Sequence, residues 1–436
     1  MEKVKFFFLI LVCLVLATCQ DKLEYDNSDF SAEVETKSPS CISTAPADKA
    51  TSVSIGTTIA VTFCNEMDTD TVTVNTYDTS CSGTLSGSIL ISSDNFSTCL
   101  KMNSVPIVTN SNKTFTVVPS SGLYYNNTYK VRVTSEAKTS SGKSMNFYES
   151  SNGFATIYYY VGVGNGGLIS SSENIFSWTS QTSGTSNNLN GVTYGNGTWV
   201  AVGDGGEIRT STDLENWSST AGISGNLNDV AFGNNIFVAV GDNGKILRHT
   251  NPSAASSGSI AWTNVSTGMG NHLKGIIYGK NLFVFVAESI IYYSSDGTTW
   301  TSGEGVTTGI KYHIDYGNGI FVVTGGPKIH RSSNGILWSD ATPSGWTDGD
   351  GYFGGQVAYG NNTWLVSPSM GQAFLKSSDG KTWTSVSDKK NPLIKFLNGY
   401  FFVQKDSYKY YYSSNGDTWE TLENIGLSGT YQDFSN

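Results

Sequence analysis

The side chains able to do chemistry are few and scattered along the chain. His249, His272, His313 and His330 are its only imidazoles, and no two stand at the short spacing that would place both on one metal ion. Asp348-Gly349-Asp350-Gly351 is the one acidic run with calcium-loop character. It lacks the later bidentate Glu and the rest of that spacing, so it reads as a solvated glycine-rich loop. Trp346, Tyr352 and Phe353 stand beside it. An aromatic flanked by carboxylates and glycines can meet a sugar ring or a protein side chain, which makes Trp346, Asp348, Asp350 and Tyr352 candidates for recognition. The competing reading has Trp346 plugging the top of its own structural repeat. No metal and no cofactor is expected.

A repeat must position these residues. A hydroxyl residue, then Asp or Asn, often Gly, and a Trp four positions after the acid or amide recur along the C-terminal two-thirds of the chain. The copies are Ser172 and Asn174 with Trp178, Ser211 and Asp213 with Trp217, Ser294 and Asp296 with Trp300, Ser332 and Asn334 with Trp338, Ser377 and Asp379 with Trp383, and Ser413 and Asn415 with Trp419. A seventh, His249-Thr250-Asn251, reaches Trp262 across an inserted loop. The acid or amide can accept hydrogen bonds from turn amides, Gly supplies the positive φ of a tight turn, and Trp covers the turn. Repeats of about 40 residues with one Trp each mark a β-propeller, whose blades cannot bury their own faces alone.

Two further strand signals precede each box. The first ends in an aromatic and Gly-Asn, as at Tyr194-Gly195-Asn196 and Phe232-Gly233-Asn234; the second is a continuous apolar run, as at Phe237-Val238-Ala239-Val240. Runs without alternation suit strands buried on both faces between stacked blades. The first repeat has Tyr160-Val161-Gly162-Val163 but no clear first strand, while Tyr431 to Asn436 carries the missing pattern. The expected fold is therefore all-β, with a seven-bladed propeller over 158–436 closed by the C-terminal strand.

The box resembles the Asp-box of sialidase-like propellers over about 280 residues, with departures where Asn174 and Asp213 lack the following Gly and where the third copy is split. By that resemblance the box is a structural turn away from the ligand mouth. The strand 2–3 turns and blade connections share the opposite face, which holds Asp204, Glu207 and Asp242 as further binding candidates. Sialidases, by the same resemblance, clamp a substrate carboxylate with three arginines. This chain has four: Arg132 lies upstream of the repeats, Arg248 and Arg331 immediately precede their boxes and Arg209 sits one residue further back, repeat positions also filled by Lys376, Tyr293 and Tyr412, so no catalytic triad is expected. Such propellers also resemble the photosystem assembly factor family.

The N-terminus reads as an export signal, with Lys3 and Lys5, an apolar stretch from Phe6 to Val15, and Leu16-Ala17-Thr18-Cys19. It resembles a bacterial lipoprotein signal, which implies cleavage after residue 18 and lipidation of Cys19; Thr18 departs from the usual small residue, and an ordinary signal peptide is the alternative. Residues 19–39 are polar and acidic, fitting a tether. Cys41, Cys64, Cys81 and Cys99 follow, an even number in an exported chain, which argues for disulfides. Three pairings are possible; Cys41 with Cys64 and Cys81 with Cys99 close short local loops and are expected. Residues 40–157 alternate, as in Thr58-Ile59-Ala60-Val61-Thr62-Phe63 and Tyr129-Lys130-Val131-Arg132-Val133. With Pro46 to Val53, Pro119 to Leu123, Ser141-Gly142 and Phe154-Ala155-Thr156, they resemble the bacterial Ig-like domain of surface proteins. That implies a β-sandwich acting as a spacer.

The formal net charge is −10 and no stripe of Lys or Arg appears, which argues against nucleic acid as a partner. Taken together, the sequence predicts an envelope or cell-surface lipoprotein, held by its lipid at the membrane, outer membrane or surface. Its propeller face would bind a glycan or protein without enzymatic activity. A sialidase-like hydrolase and an envelope assembly factor are the alternatives.

Overall fold

The computed structural model describes residues 41–435 except 83–86, 121, 221, 251–261, 267, 269, 307–308, 310–311, 345–354, 368–372 and 388–392. The chain divides into two compact units between Ile157 and Tyr158.

The first unit is a two-sheet sandwich. One sheet runs Ile42–Ala45, Ile59–Phe63, Thr114–Val117, Ile107–Thr109; the other runs Ile89–Ser92, Thr128–Val133, Tyr148–Glu149, with Phe154–Ala155 also pairing to Thr128–Val133. Alternation along the strands decides which face is buried: Ile59, Val61 and Phe63 point inward, as do Tyr129, Val131 and Val133. Phe63 meets Phe115 edge to face across this core. Disulfides join Cys41 to Cys64 and Cys81 to Cys99, with Cα separations of 5.7 and 5.2 Å. Each ties down a short loop beside the sandwich.

The second unit holds, among the described residues, seven four-stranded antiparallel sheets. Six are built from four consecutive strands, and one joins Tyr160–Gly164, Ile169–Ser172 and Thr179–Gln181 to Tyr431–Ser435. The innermost strands are Tyr431–Ser435, Leu189–Gly195, Leu227–Gly233, Leu273–Gly279, His313–Gly317, Val357–Gly360 and Ile394–Leu397. They neighbour one another in that cyclic order, so the sheets are blades one to seven around an axis. The apolar second strands are buried along their whole length, as in Thr198–Gly203 and Ile236–Gly241. Each fully buried Val or Phe there removes an apolar side chain from water, worth about 1.5–3 kcal/mol.

The aromatic-Gly signature is a packing device between blades. A Cβ on Gly233 would lie 2.0 Å from the Tyr278 ring of the next blade, and one on Gly195 would lie 2.1 Å from Phe232. The glycine is the socket for the following blade's aromatic. At the seam Phe434 lies opposite Gly162, its cross-strand partner in the same blade, and packs on Trp178 and on Phe402 of the preceding blade.

The boxes close the hairpins as hydrogen-bond cages. In Ser377-Ser378-Asp379-Gly380, Ser377 Oγ accepts the amides of Asp379 and Gly380, and Asp379 Oδ1 accepts those of Lys381 and Thr382 at 2.8 and 2.7 Å. The same cage forms around Asn174, Asp213, Asp296, Asn334 and Asn415. These backbone amides hold Asp296 and Asp379 down at about 2. Where Gly is missing, Ile175 and Leu214 take the left-handed φ themselves, at 62° and 69°, and both side chains are buried. Trp178, Trp217 and Trp419 donate their indole N–H to the carbonyl just after the acid or amide. Trp300, Trp338 and Trp383 pack in the apolar clusters between their own blade and the preceding one. Asn251, of the split copy, lies outside the described residues, while Trp262 packs on His249.

Candidate functional site

The innermost strands carry charge where it is least expected, on the side chains that face the axis. The position before the socketed aromatic is Thr193, Ala231, Ile277 or Ala358 in four blades. In the others it is Asp315, Lys395 and Asp433, and Asp229 is added two residues earlier in blade three, at the bulge between Leu227 and Asp229. Lys395 Nζ lies 2.7 Å from Asp433 Oδ1. Every carboxylate also staples its blade to the next one. Asp433 Oδ2 accepts the Val192 amide at 3.0 Å, Asp229 Oδ2 accepts Ile276 at 2.9 Å, and Asp315 Oδ2 accepts Tyr359 at 2.7 Å. The second oxygens of Asp229 and Asp315 accept Val230 and Tyr316.

Three carboxylates and one ammonium therefore form a girdle around the axis. Enclosure raises the Asp315 carboxyl to about 6, partly offset by Lys395 and two backbone amides. Enclosure and then the negative charge of Asp433 raise Asp229 as well. Burial works against the charge of Lys395, but the carboxylates of Asp433, Asp229 and Asp315 outweigh it and hold the ammonium above its ordinary value. His313, beside them, is lowered to about 3 by burial and by Lys395, so its ring is neutral at physiological pH.

The girdle lies between two cavities. The mouth, about 350 Å³, takes residues from every innermost strand, among them Asn190, Asn228, Lys274, His313, Gln356 and Gln432. A second cavity of about 270 Å³ shares Asp229, Lys395 and Asp433 and adds Asp315. Volumes near 300 Å³ are at the lower end of small-molecule sites.

Amide clamps build the lip of the mouth. Asn188 and Asn190 both donate to Asp204, and Asn226 and Asn228 both donate to Asp242. His272 Nδ1 lies 2.8 Å from Asp242 Oδ1. Of the residues singled out from sequence, Asp204 thus lines the mouth but is held by two asparagines, and Asp242 is tied into the lip of the next blade. Glu207 turns to Arg209, at 2.8 Å, and to Thr185 and Asn187. Arg248 and Arg331 donate to the backbone carbonyls of Asp296 and Asp379 in the adjoining boxes. The arginines therefore serve lips and turns and do not converge on the axis. Trp346, Asp348, Asp350, Tyr352 and Cys19 lie outside the described residues. The girdle itself was missed in the sequence, although its signal was present: a charge in the aligned slot that is elsewhere small or apolar.

Among the described residues no group of His, Cys, Asp and Glu has metal-holding geometry, and no helix is long and apolar enough to cross a membrane.

Residues 35–156 match the family profile of the bacterial Ig-like domain, a module that suggests an extracellular or surface protein. No curated protein matches the chain. Among solved structures it is similar to YCF48 from Cyanidioschyzon merolae, at 15% identity over 55% of this chain and 86% of that one, with a TM-score of 0.44. It is also similar to the WD40 β-propeller domain of Doa1, at 12% identity over 54% and 83%, with a TM-score of 0.42. The chain thus joins an Ig-like domain to a β-propeller, folds that host many functions, so its role must be read from the site.

Proposed function

We propose that this protein is an exported, lipid-anchored binding protein of the cell envelope, whose propeller takes a glycan or protein group at its axial mouth and performs no catalysis. One observation supports this most: a polar cavity to which every innermost strand contributes, over a girdle whose carboxylates are already engaged. Here both oxygens of Asp229 accept backbone amides, and Asp433 is shared between Val192 and Lys395. The arginines that a sialidase would aim at the axis are committed elsewhere. The Ig-like unit, with its two disulfides, fits a spacer between the membrane and the propeller.

A photocrosslinking residue at Gln432 tests the mouth, and one at Trp346 tests the long linker that the sequence favoured. Irradiation of intact cells should give a defined adduct from Gln432. Adducts from Trp346 alone would move recognition to the linker, and protease shaving of the same cells reports surface exposure. Hydrolysis of aryl glycosides by the pure protein, abolished by Asp229→Asn, would overturn the non-catalytic reading.

A further inference from the structure

Taking the axial mouth as the ligand site proposed above, we infer that it is built for a small hydroxylated amine of the amino-sugar class, its ammonium seated against Asp229.

The girdle is electrostatically incomplete. Asp229, Asp315 and Asp433 face one ammonium, and Lys395 is in direct contact with Asp433. Lys274, at the mouth, is drawn to the lip, 3.9 Å from Asp242. Asp229 is left with two backbone amides and no cation of its own, yet it lines both cavities. Its carboxyl is raised by enclosure first and by Asp433 next, with Lys395 offsetting only part of the rise. A ligand ammonium would supply the missing charge and replace the lost hydration.

A second, independent feature points into the same space. The His313 ring is enclosed and neutral, lines the mouth and makes no hydrogen bond among the described residues. A neutral imidazole offers one donor and one acceptor, which a hydroxyl can use together. The lip adds acceptors. Asn190 spends both amide hydrogens on Asp204 and the Leu227 carbonyl, and Asn228 spends both on Asp242 and the Leu273 carbonyl. Their carbonyl oxygens are what remain for a ligand. The mouth is thus rich in acceptors and poor in apolar wall, which suits a hydroxylated amine better than the methylene stem of a lysine side chain.

Calorimetry on the full chain at pH 7.5, with glucosamine, glucose and N-acetylglucosamine as matched probes and Nα-acetyl-lysine amide as the side-chain analogue, tests this. Glucosamine should bind about tenfold or more tightly than either sugar lacking the ammonium, the cost of leaving a charged partner unmet. Asp229→Asn should remove that preference. Lys274→Ala, outside the girdle and so a safeguard if Asp229→Asn fails to fold, should strengthen glucosamine binding at low salt by removing a like charge. Equal affinity for the three sugars overturns the amine inference while leaving the mouth as the binding site. Binding of the lysine analogue in preference to glucosamine overturns it in favour of a protein side chain. No binding by any amine at about 10 mM also overturns it, and the crosslink at Gln432 then judges the mouth separately.

Discussion

Replacing Lys395 with Met would strip the girdle of its only cation while keeping the length of the side chain. Asp433, whose side chain is 10% exposed, would lose its contact at 2.7 Å, and Asp229 and Asp315 would lose their offset. Breaking a fully buried pair costs about 3–5 kcal/mol. The Lys395 side chain is 35% exposed to the axial water, and that screening reduces the expected loss to about 2–3 kcal/mol. For a unit of this size, it corresponds to about 4–10 °C in the unfolding midpoint. All ten tryptophans fall within residues 178–419, so intrinsic fluorescence follows the propeller without signal from the Ig-like unit. The loss must depend on pH. Carboxyls raised in the folded state bind protons more readily there than in the unfolded chain, so their ionisation destabilises, and the penalty grows as pH rises from about 4 through the raised values. In the wild type Asp315 is raised to about 6; without Lys395 the carboxyls of Asp229 and Asp315 move higher. The variant should therefore lie close to the wild type at pH 5 and well below it at pH 8. Equal losses at both pH values, or none at pH 8, would refute the electrostatic account of the girdle.

Asp379→Ala should lose about 1 kcal/mol by uncovering two turn amides, as removal of a capping side chain does, while Asp379→Asn should be nearly neutral because Asn174, Asn334 and Asn415 build the same cage; thermal melts of the pair decide. The boxes also predict acid sensitivity. Asp296 and Asp379 are lowered to about 2, so their contribution is complete above about 4 and disappears as pH falls through about 2; the doubly Asn-substituted protein should show a flatter stability curve there. Gly233→Ala drives a methyl into the Tyr278 ring and should cost about 1–3 kcal/mol or more, a loss that Tyr278→Leu should partly relieve. Removing residues 431–436 takes away buried Tyr431 and Phe434 together with Asp433, and should lower the propeller midpoint by more than any single substitution above; an unchanged cooperative melt would contradict a structural role for that strand.

The turns and strands were legible because each rests on local chemistry. Six hydroxyl, Asp or Asn and Trp boxes mark the same cage, and the unalternating runs mark strands buried on both sides. Tyr431-Gln432-Asp433-Phe434 was readable as a displaced first strand because its aromatic matched a slot left empty 260-odd residues earlier. The site was less legible. Of the carboxylates singled out, Asp204 lines the mouth, but whether Asp204, Glu207 or Asp242 is free or clamped depends on Asn188, Asn190, Asn226, Asn228 and Arg209 reaching them. The girdle joins residues from blades one, three, five and seven that become neighbours only when the ring curves. No local spacing links Asp229, Asp315, Lys395 and Asp433; only the alignment of repeats reveals that Asp315, Lys395 and Asp433 share a slot and that Asp229 stands two residues before it.

The pairing of Tyr160–Gly164 with Tyr431–Ser435 sets an order of events for folding. Ser170 and Tyr431, hydrogen-bonded across that seam, are 261 residues apart. As the polypeptide emerges, the earliest blade waits with one edge of its backbone unsatisfied until nearly all of the remaining blades are out. Loop closure on that scale is slow, and a copy cut short within the last dozen residues would present an open, sticky edge to proteases. Completion of synthesis is thus coupled to survival, through hydrogen bonds that only a finished copy can make.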